Sequence, residues 1–321
     1  MTQSSSVKSV DGPFHTTWAG GEEHWTERGD VRLFMWRKRP TGHAGAAGAA
    51  GAAGTILFVH GSSMASQPTF DLTVPGRPDS SAMDWFAARG FDTWCLDNEG
   101  YGRSSKHRPI NFDIANGADD LAAASEYVLR HSEADRLMIY GISSGALKAA
   151  LFAQQHPERV ARLALDAFVW TGAGSPTLKK RAERLAEWTG TNRRPIDKEF
   201  VRSIFNRDHA GSTDASAVDA FADAILTLDS SVPTGTYVDM CSKLPLIDPA
   251  KLTVPTLVMR GEYDGIASFD DLIEFFKRLP NADKQFSVMA GISHASFQQK
   301  NYRTVYHILH GFFNHPPLVY Q

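Results

Sequence analysis

From residue 55 onward, short apolar runs alternate with amphipathic helical patterns, and few architectures accept that rhythm. "TILFVHG" (55–61) reads as a buried strand, "SSAMDWFAARG" (80–90) as a helix with glycine just past its end, and "FDTWCLD" (91–97) as a strand again. The order continues with "NGADDLAAASEYVLRH" as helix, "RLMIYG" as strand, "SGALKAALFAQQHPE" as helix and "RVARLALDAFVW" as strand. After a long break it resumes with "TVPTLVMRGEYD", "DDLIEFFKRLP", "DKQFSVMAG" and the closing helix "SFQQKNYRTVYHILHGFFNH". Parallel strands need a crossover of a dozen or more residues, which a helix supplies, so the pattern specifies a mostly parallel, doubly wound α/β sheet. In such a sheet the chemistry sits in loops at the carboxyl ends of the strands.

Three segments stand outside the alternation. Residues 14–39 read as a hairpin, "HWTERGD" leading into "VRLFMWRKR" across a Gly-Asp turn. Residues 41–54, "TGHAGAAGAAGAAG", form a Gly/Ala tract too rich in glycine for a stable helix and without side chains that could join a core. Residues 171–250 read as helices near 176–189, 197–207 and 214–228 followed by a Pro-containing stretch, with no evident strand. The expected division is therefore a core of residues 1–170 and 251–321 and a helical cap, 171–250, inserted after a core strand and lying over the strand ends.

The chain has 321 residues, enough for one large α/β domain with an insertion. Its formal net charge is −3 and it carries no long basic run, which argues against nucleic acid as a partner. No apolar run approaches the ~18 residues of a membrane span, and the start "MTQSSSVKSVDGPF" lacks a signal-peptide core. Cys95 and Cys241 are too few for a disulfide framework and lack metal-ligand spacing. The expectation is a cytoplasmic protein that acts on a small molecule.

The chemistry concentrates in "GISSG", residues 141–145, between an expected strand and an expected helix. This is the G-x-S-x-G pattern of a nucleophile elbow, in which a sharp turn lifts the middle serine above the sheet. Ser143 is then at a helix N-terminus that favours developing negative charge, and Ser144 offers a backbone N–H to an oxyanion. A serine hydroxyl needs a base, and the base an orienting group. The expected chain order is Ser, acid, His. His294 in "GISHASF" and Asp264 in "MRGEYDG" both follow strands on the same rim, whereas Asp166 in "LALDAF" is an alternative carboxylate. The loop "HGSS" (60–63) supplies the second oxyanion donor, assigned to the Ser62 N–H, with His60 as a structural residue.

Together, "FVHG", "DNEGYGRS", "GISSG", "VPTLVMRGEYD" and "ISHASF" resemble the capped serine hydrolases of the α/β-hydrolase superfamily. The resemblance covers about residues 55–170 and 250–314. It implies cleavage of an ester, lactone, amide or activated carbon–carbon bond without a cofactor, and makes Arg103 an ion-pairing residue. Dehalogenases and epoxide hydrolases resemble this pattern but carry aspartate at the elbow. Ester hydrolysis is the expectation. Amide or carbon–carbon cleavage by the same residues, and a ligand receptor without turnover, stay open.

Trp170, Trp188, Phe200, Phe205, Phe221, Tyr237 and Met240 are candidates to line a pocket under the cap and to receive an apolar acyl or aryl group. Nine Lys and Arg stand against four Asp and Glu between residues 170 and 207. That excess either steers an anionic substrate or coats solvated helix faces. The Gly/Ala tract generates the first prediction. Shortening residues 41–54 to a four-residue turn should move the melting temperature only slightly, because loop-closure entropy varies slowly with length.

Overall fold

The structure, a computed structural model, describes residues 18, 20–41, 53–316 and 318–319. The sequence begins its fold with a hairpin, β1 (Glu22–Arg28) and β2 (Val31–Lys38). It continues with β3 (Gly54–Val59), α1 (Ser66–Phe70), α2 (Ala82–Ala87), β4 (Phe91–Leu96), α3 (Ile114–His131), β5 (Leu137–Ile142), α4 (Ser144–Gln155) and β6 (Val160–Asp166). An inserted segment follows with α5 (Pro176–Ala182), α6 (Leu185–Gly190), β7 (Arg193–Pro195), α7 (Lys198–Asn206), α8 (Ala215–Leu228), β8 (Ser231–Pro233) and α9 (Gly235–Ser242). The chain closes with β9 (Thr256–Gly261), α10 (Phe269–Arg278), β10 (Lys284–Met289) and α11 (Tyr302–Phe313).

Eight strands form one sheet in the order β1-β2-β4-β3-β5-β6-β9-β10. The pairs from β4 to β10 are parallel, and β1 and β2 run antiparallel at one edge. Side-chain alternation splits the core across the sheet. Leu57, Val59, Ile139 and Val258 pack under α3, α4 and α10 on one face. Ile56, Phe58, Tyr140 and Met259 pack under α2 and α11 on the other. Register keeps the strand ends level, since Val59 pairs with Gly141, Ile142 with Asp166, and Gly261 with Met289. Every loop that leaves these ends therefore reaches the same rim.

The Gly/Ala tract lies mostly in residues 42–52, outside the described residues. Its ends are fixed. Thr41 N–H donates to Ala87 O, Ala53 N–H donates to Gly90 O, and Gly54 already belongs to β3.

The inserted segment differs from expectation in three places. The helix expected over 176–189 is two helices, because Arg181 O accepts both Arg184 N–H (3.0 Å) and the Trp188 indole N–H (3.2 Å), and the ladder breaks there. A two-stranded antiparallel ladder joins β7 to β8; each strand has three residues and ends in proline, too short for alternation to show. The helix α9 is flanked by Pro233 and Pro245 and opens on Gly235, a weak helix former, which hides it in the sequence. Phe205, Phe221 and Ile225 from α7 and α8 form a separate cluster with Met64, Tyr101 and Phe112 of the core.

Where β5 passes into α4, the helix crosses β3 at backbone contact. A Cβ on Gly145 would lie 2.3 Å from Val59 O and 2.6 Å from His60 O. Gly145→Ala should therefore lower the urea midpoint by an amount equivalent to about 1–3 kcal/mol. Gly190, with no atom within 4 Å of the same position, is the control, and its alanine variant should change stability by less than about 0.5 kcal/mol.

Candidate active site

Ser143 lies between the last residue of β5 and the first of α4, with φ +59° and ψ −125°. An L-residue holds such a conformation only where its surroundings enforce it, at a cost of about 1–3 kcal/mol. The enforcing contacts are on both sides. Ser143 N–H donates to Asp166 O at 2.8 Å, and Ser143 O accepts Ala146 N–H at 3.0 Å. The loop after β3 presses from above, so that a Cβ on Gly61 would stand 3.3 Å from Ser143 Cβ. Ser144 opens α4, so its N–H has no acceptor within the helix.

The Ser143 hydroxyl donates to His294 Nε2 at 2.9 Å. His294 Nδ1 faces both carboxylate oxygens of Asp264 at 3.0 Å. Asp264 Oδ1 also accepts the N–H groups of Ile266 (2.8 Å) and Ala267 (3.0 Å). Arg260 draws that loop into shape by donating to Ala267 O and Asp264 O. Burial alone would raise the Asp264 pKa. The adjacent His294 and the two backbone donors outweigh burial and hold it down at about 2. An ionised Asp264 fixes the proton of neutral His294 on Nδ1 and leaves Nε2 to accept from Ser143.

Asp166 is turned away from this line. Tyr140 OH donates to its Oδ2 at 2.6 Å, and burial pushes its pKa up to about 7. The structure thus brings Ser143, His294 and Asp264 together and leaves the alternative carboxylate behind the elbow.

Ser62 lines the same cleft as Ser143 and His294. Its loop is tied from three directions. Ser62 O accepts Tyr101 OH and the Arg194 guanidinium, both at 3.1 Å, and Ser62 Oγ accepts Thr236 Oγ1–H at 2.9 Å. Beneath it, His60 Nε2 accepts Asn98 N–H (3.0 Å), so Nδ1 carries the proton and donates to Gly61 O (2.8 Å). Full burial and the nearby Lys148 hold His60 well below the usual histidine range, and it stays neutral. Arg103 pairs with Glu23 at the surface.

Lys148 escaped sequence reasoning. It is wholly buried and donates to His60 O (3.2 Å) and Asn98 Oδ1 (2.7 Å), and burial lowers its pKa to about 7. The signal was present, since it is the only charged residue in α4. Among the seven large apolar residues singled out in the inserted region, only Tyr237 reaches the cleft; Met64, Ile142, Ile204 and Ile266 supply the apolar wall instead. Phe205 and Phe221 pack on each other, and Trp188 on Tyr237. Trp170 borders a separate groove with Ile247 and Arg278.

Among the described residues, no group of three or more His, Cys, Asp or Glu is arranged to hold a metal ion, and no helix is long and apolar enough to cross a membrane.

Comparison with known proteins gives the family. No curated protein matches the chain significantly in sequence. Among solved structures, a soluble variant of monoglyceride lipase from Saccharomyces cerevisiae, bound to a substrate analogue, is similar with TM-score 0.66 and 17% identity, covering 96% of this chain and 100% of that one. An esterase from Exiguobacterium antarcticum is similar with TM-score 0.65 and 14% identity over 90% of this chain and 98% of that one. E-2-(acetamidomethylene)succinate hydrolase is similar with TM-score 0.63 and 16% identity over 90% and 98%. At these identities the likeness fixes the α/β-hydrolase fold and leaves the substrate open. The sequence itself matches the serine aminopeptidase S33 family over residues 52–301, most of its length, and the chain belongs to that family of α/β hydrolases.

Proposed function

We propose that the protein is a serine hydrolase of small carboxylic esters. One observation carries the reading: His294 stands between the Ser143 hydroxyl at 2.9 Å and the Asp264 carboxylate at 3.0 Å, in a cleft that Ser62 also lines and with Ser144 as the first residue of α4. His294 takes the proton as Ser143 Oγ attacks the ester carbonyl. The developing oxyanion is held by the Ser62 and Ser144 N–H groups, the kind of donor that stabilises charge as it appears. His294 returns the proton to the departing alkoxide, leaving an acyl group on Ser143. A water activated by His294 then releases the acid. Asp264 keeps its charge throughout and stabilises the imidazolium.

The family is named for aminopeptidases, which must accept a substrate's cationic amine. Here Arg181 and Arg207 line the cleft, and an ammonium group beside them would be repelled. That favours an ester over an N-terminal peptide bond. An alkoxide or phenoxide also leaves without the tight proton delivery that an amide nitrogen demands.

Three outcomes follow. Ser143→Ala should lose about 10⁴-fold or more in kcat with folding intact, whereas Ser144→Ala, which keeps its backbone N–H, should lose far less. Mass spectrometry after a fluorophosphonate should find the label on Ser143; a label on Ser144 would displace the assignment. Asp264→Asn should lower kcat by orders of magnitude, since it leaves His294 without its anion. Asp166→Asn should do little, because burial already disfavours the Asp166 charge and an amide oxygen still accepts from Tyr140. Short-chain aryl esters should outrun the matching anilides in kcat/KM; a panel with anilides ahead would point to an amidase built on the same residues.

A further inference from the structure

Packing separates two groups among the nine cations between residues 170 and 207. Several lie on the outer faces with carboxylate partners: Arg184 with Glu187, Lys198 with Asp223, and Arg202 with Asp219. Three converge on the Ser143 cleft instead. Arg181 and Arg207 line it beside Ser143 and His294, and Arg194 lies directly behind, on the Ser62–Ser63 loop.

These three are poorly neutralised. Among the described residues, the Arg181 guanidinium has no hydrogen bond and no ion pair; it lies 3.7 Å from the centre of the Tyr237 ring. The Arg194 guanidinium lies 4.0 Å from the same ring centre. Arg194 is 4% exposed and spends Nη2 on Ser62 O and Ser63 Oγ, while its Nε and Nη1 have no partner. Arg207 alone meets a carboxylate, Asp208, at 3.4 Å. Arginine does not deprotonate in a protein, so the cluster keeps three charges against one. Tyr237 registers that imbalance. Burial would raise its pKa, but Arg181 and Arg194, with Ser63 and Arg207, bring it down to about 7.

Stacking on Tyr237 could account for guanidinium planes, as a purely structural arrangement. It does not account for the unused N–H edges, since stacking occupies the π face and leaves the donor fork free. Arg181 lines the cleft with its donors unpaired, and a planar anion with two oxygens is the partner a guanidinium fork fits.

We propose that Arg181 and Arg207 form a carboxylate-binding subsite next to Ser143, with Arg194 adding positive charge from behind, and that the preferred substrate is a short ester carrying a free carboxylate. This rests on the serine-esterase reading of the same cleft. Arg181 and Arg207 line the same cleft as Ser143 and His294, which favours a short chain between the carboxylate and the scissile bond.

The test compares initial rates of acid release, at low ionic strength, for three substrates of similar size. These are monoethyl glutarate, with the carboxylate on the acyl part, carboxymethyl butyrate, with it on the alcohol part, and neutral ethyl pentanoate. One anionic ester should exceed the neutral one in kcat/KM by about tenfold or more, and which of the two does so locates the subsite on the acyl or the alcohol side. Arg181→Gln and Arg207→Gln should each cut the anionic-to-neutral ratio by about tenfold, with their melting curves recorded to confirm folding. Arg202→Gln, on the outer face against Asp219, should leave the ratio as it is. Calorimetric titration of glutarate into the Ser143→Ala variant gives a readout without turnover, and the added Arg181→Gln change should abolish the binding. Turnover of ethyl pentanoate with no anionic preference and no glutarate binding would overturn the subsite and leave the esterase intact. Glutarate binding that depends on Arg181, with no turnover of any ester and no fluorophosphonate label on Ser143, would support the subsite while removing the esterase reading.

Discussion

The backbone of Ser143, at φ +59°, could not persist if the residues around it were free to relax. Three strands hold it. β5 delivers it, β6 anchors its N–H through Asp166 O, and the loop after β3 lies against its side chain. Glycine at 145 lets α4 meet β3 at backbone contact, so the first turn of the helix packs directly on the strand beside the elbow. The strain is thus distributed over the centre of the sheet, where burial is complete and hydrogen bonds are least exposed to solvent. That is where a protein can best maintain a conformation costing a few kcal/mol out of a total stability of about 5–15 kcal/mol.

Two kinds of buried charge meet at the site, and they are handled differently. Asp264 is buried but surrounded by donors, so it stays ionised and rigid. Lys148 is buried with only neutral oxygens in reach, so its charge is disfavoured, and it acts as a hydrogen-bonded strut between α4, His60 O and Asn98. The first arrangement orients a proton carrier. The second props the loop whose backbone faces Ser143. Both follow from the same rule: a buried ionisable group keeps its charge only where its neighbours replace the lost water.

The parts legible in the sequence were those set by local pattern. The strands from 55 to 61 and from 137 to 142 announce themselves by apolar runs, and "GISSG" by its place between strand and helix. Asp264 and Asp166 look alike in one dimension, each ending an apolar strand. Only the fold separates them, because Asp166 still lies in β6, opposite Ile142 and accepting from Tyr140 OH, whereas Asp264 stands beyond β9 in a loop that curls its N–H groups inward. The same holds for the cations of the inserted segment. Arg181 and Arg184 are three residues apart, yet one enters the cleft and the other pairs with Glu187 outside. The side a helix turns to its neighbours depends on what those neighbours are, and α9, which carries Tyr237, was itself hidden by its flanking prolines.

The contacts of Ser62 and Ser63 have a consequence for how such proteins diversify. Thr236, Tyr237 and Arg194, all from the inserted segment, hold the hydroxyls and carbonyl of a loop that belongs to the sheet. Insertion and core are therefore not interchangeable modules. A chimera that kept this sheet and borrowed the 171–250 region of a distant relative would inherit an intact elbow beside an unbraced loop. Recombination within the fold is constrained to exchange the two together, so the "HGSS" loop and residues 194 and 236–237 should behave as one heritable unit.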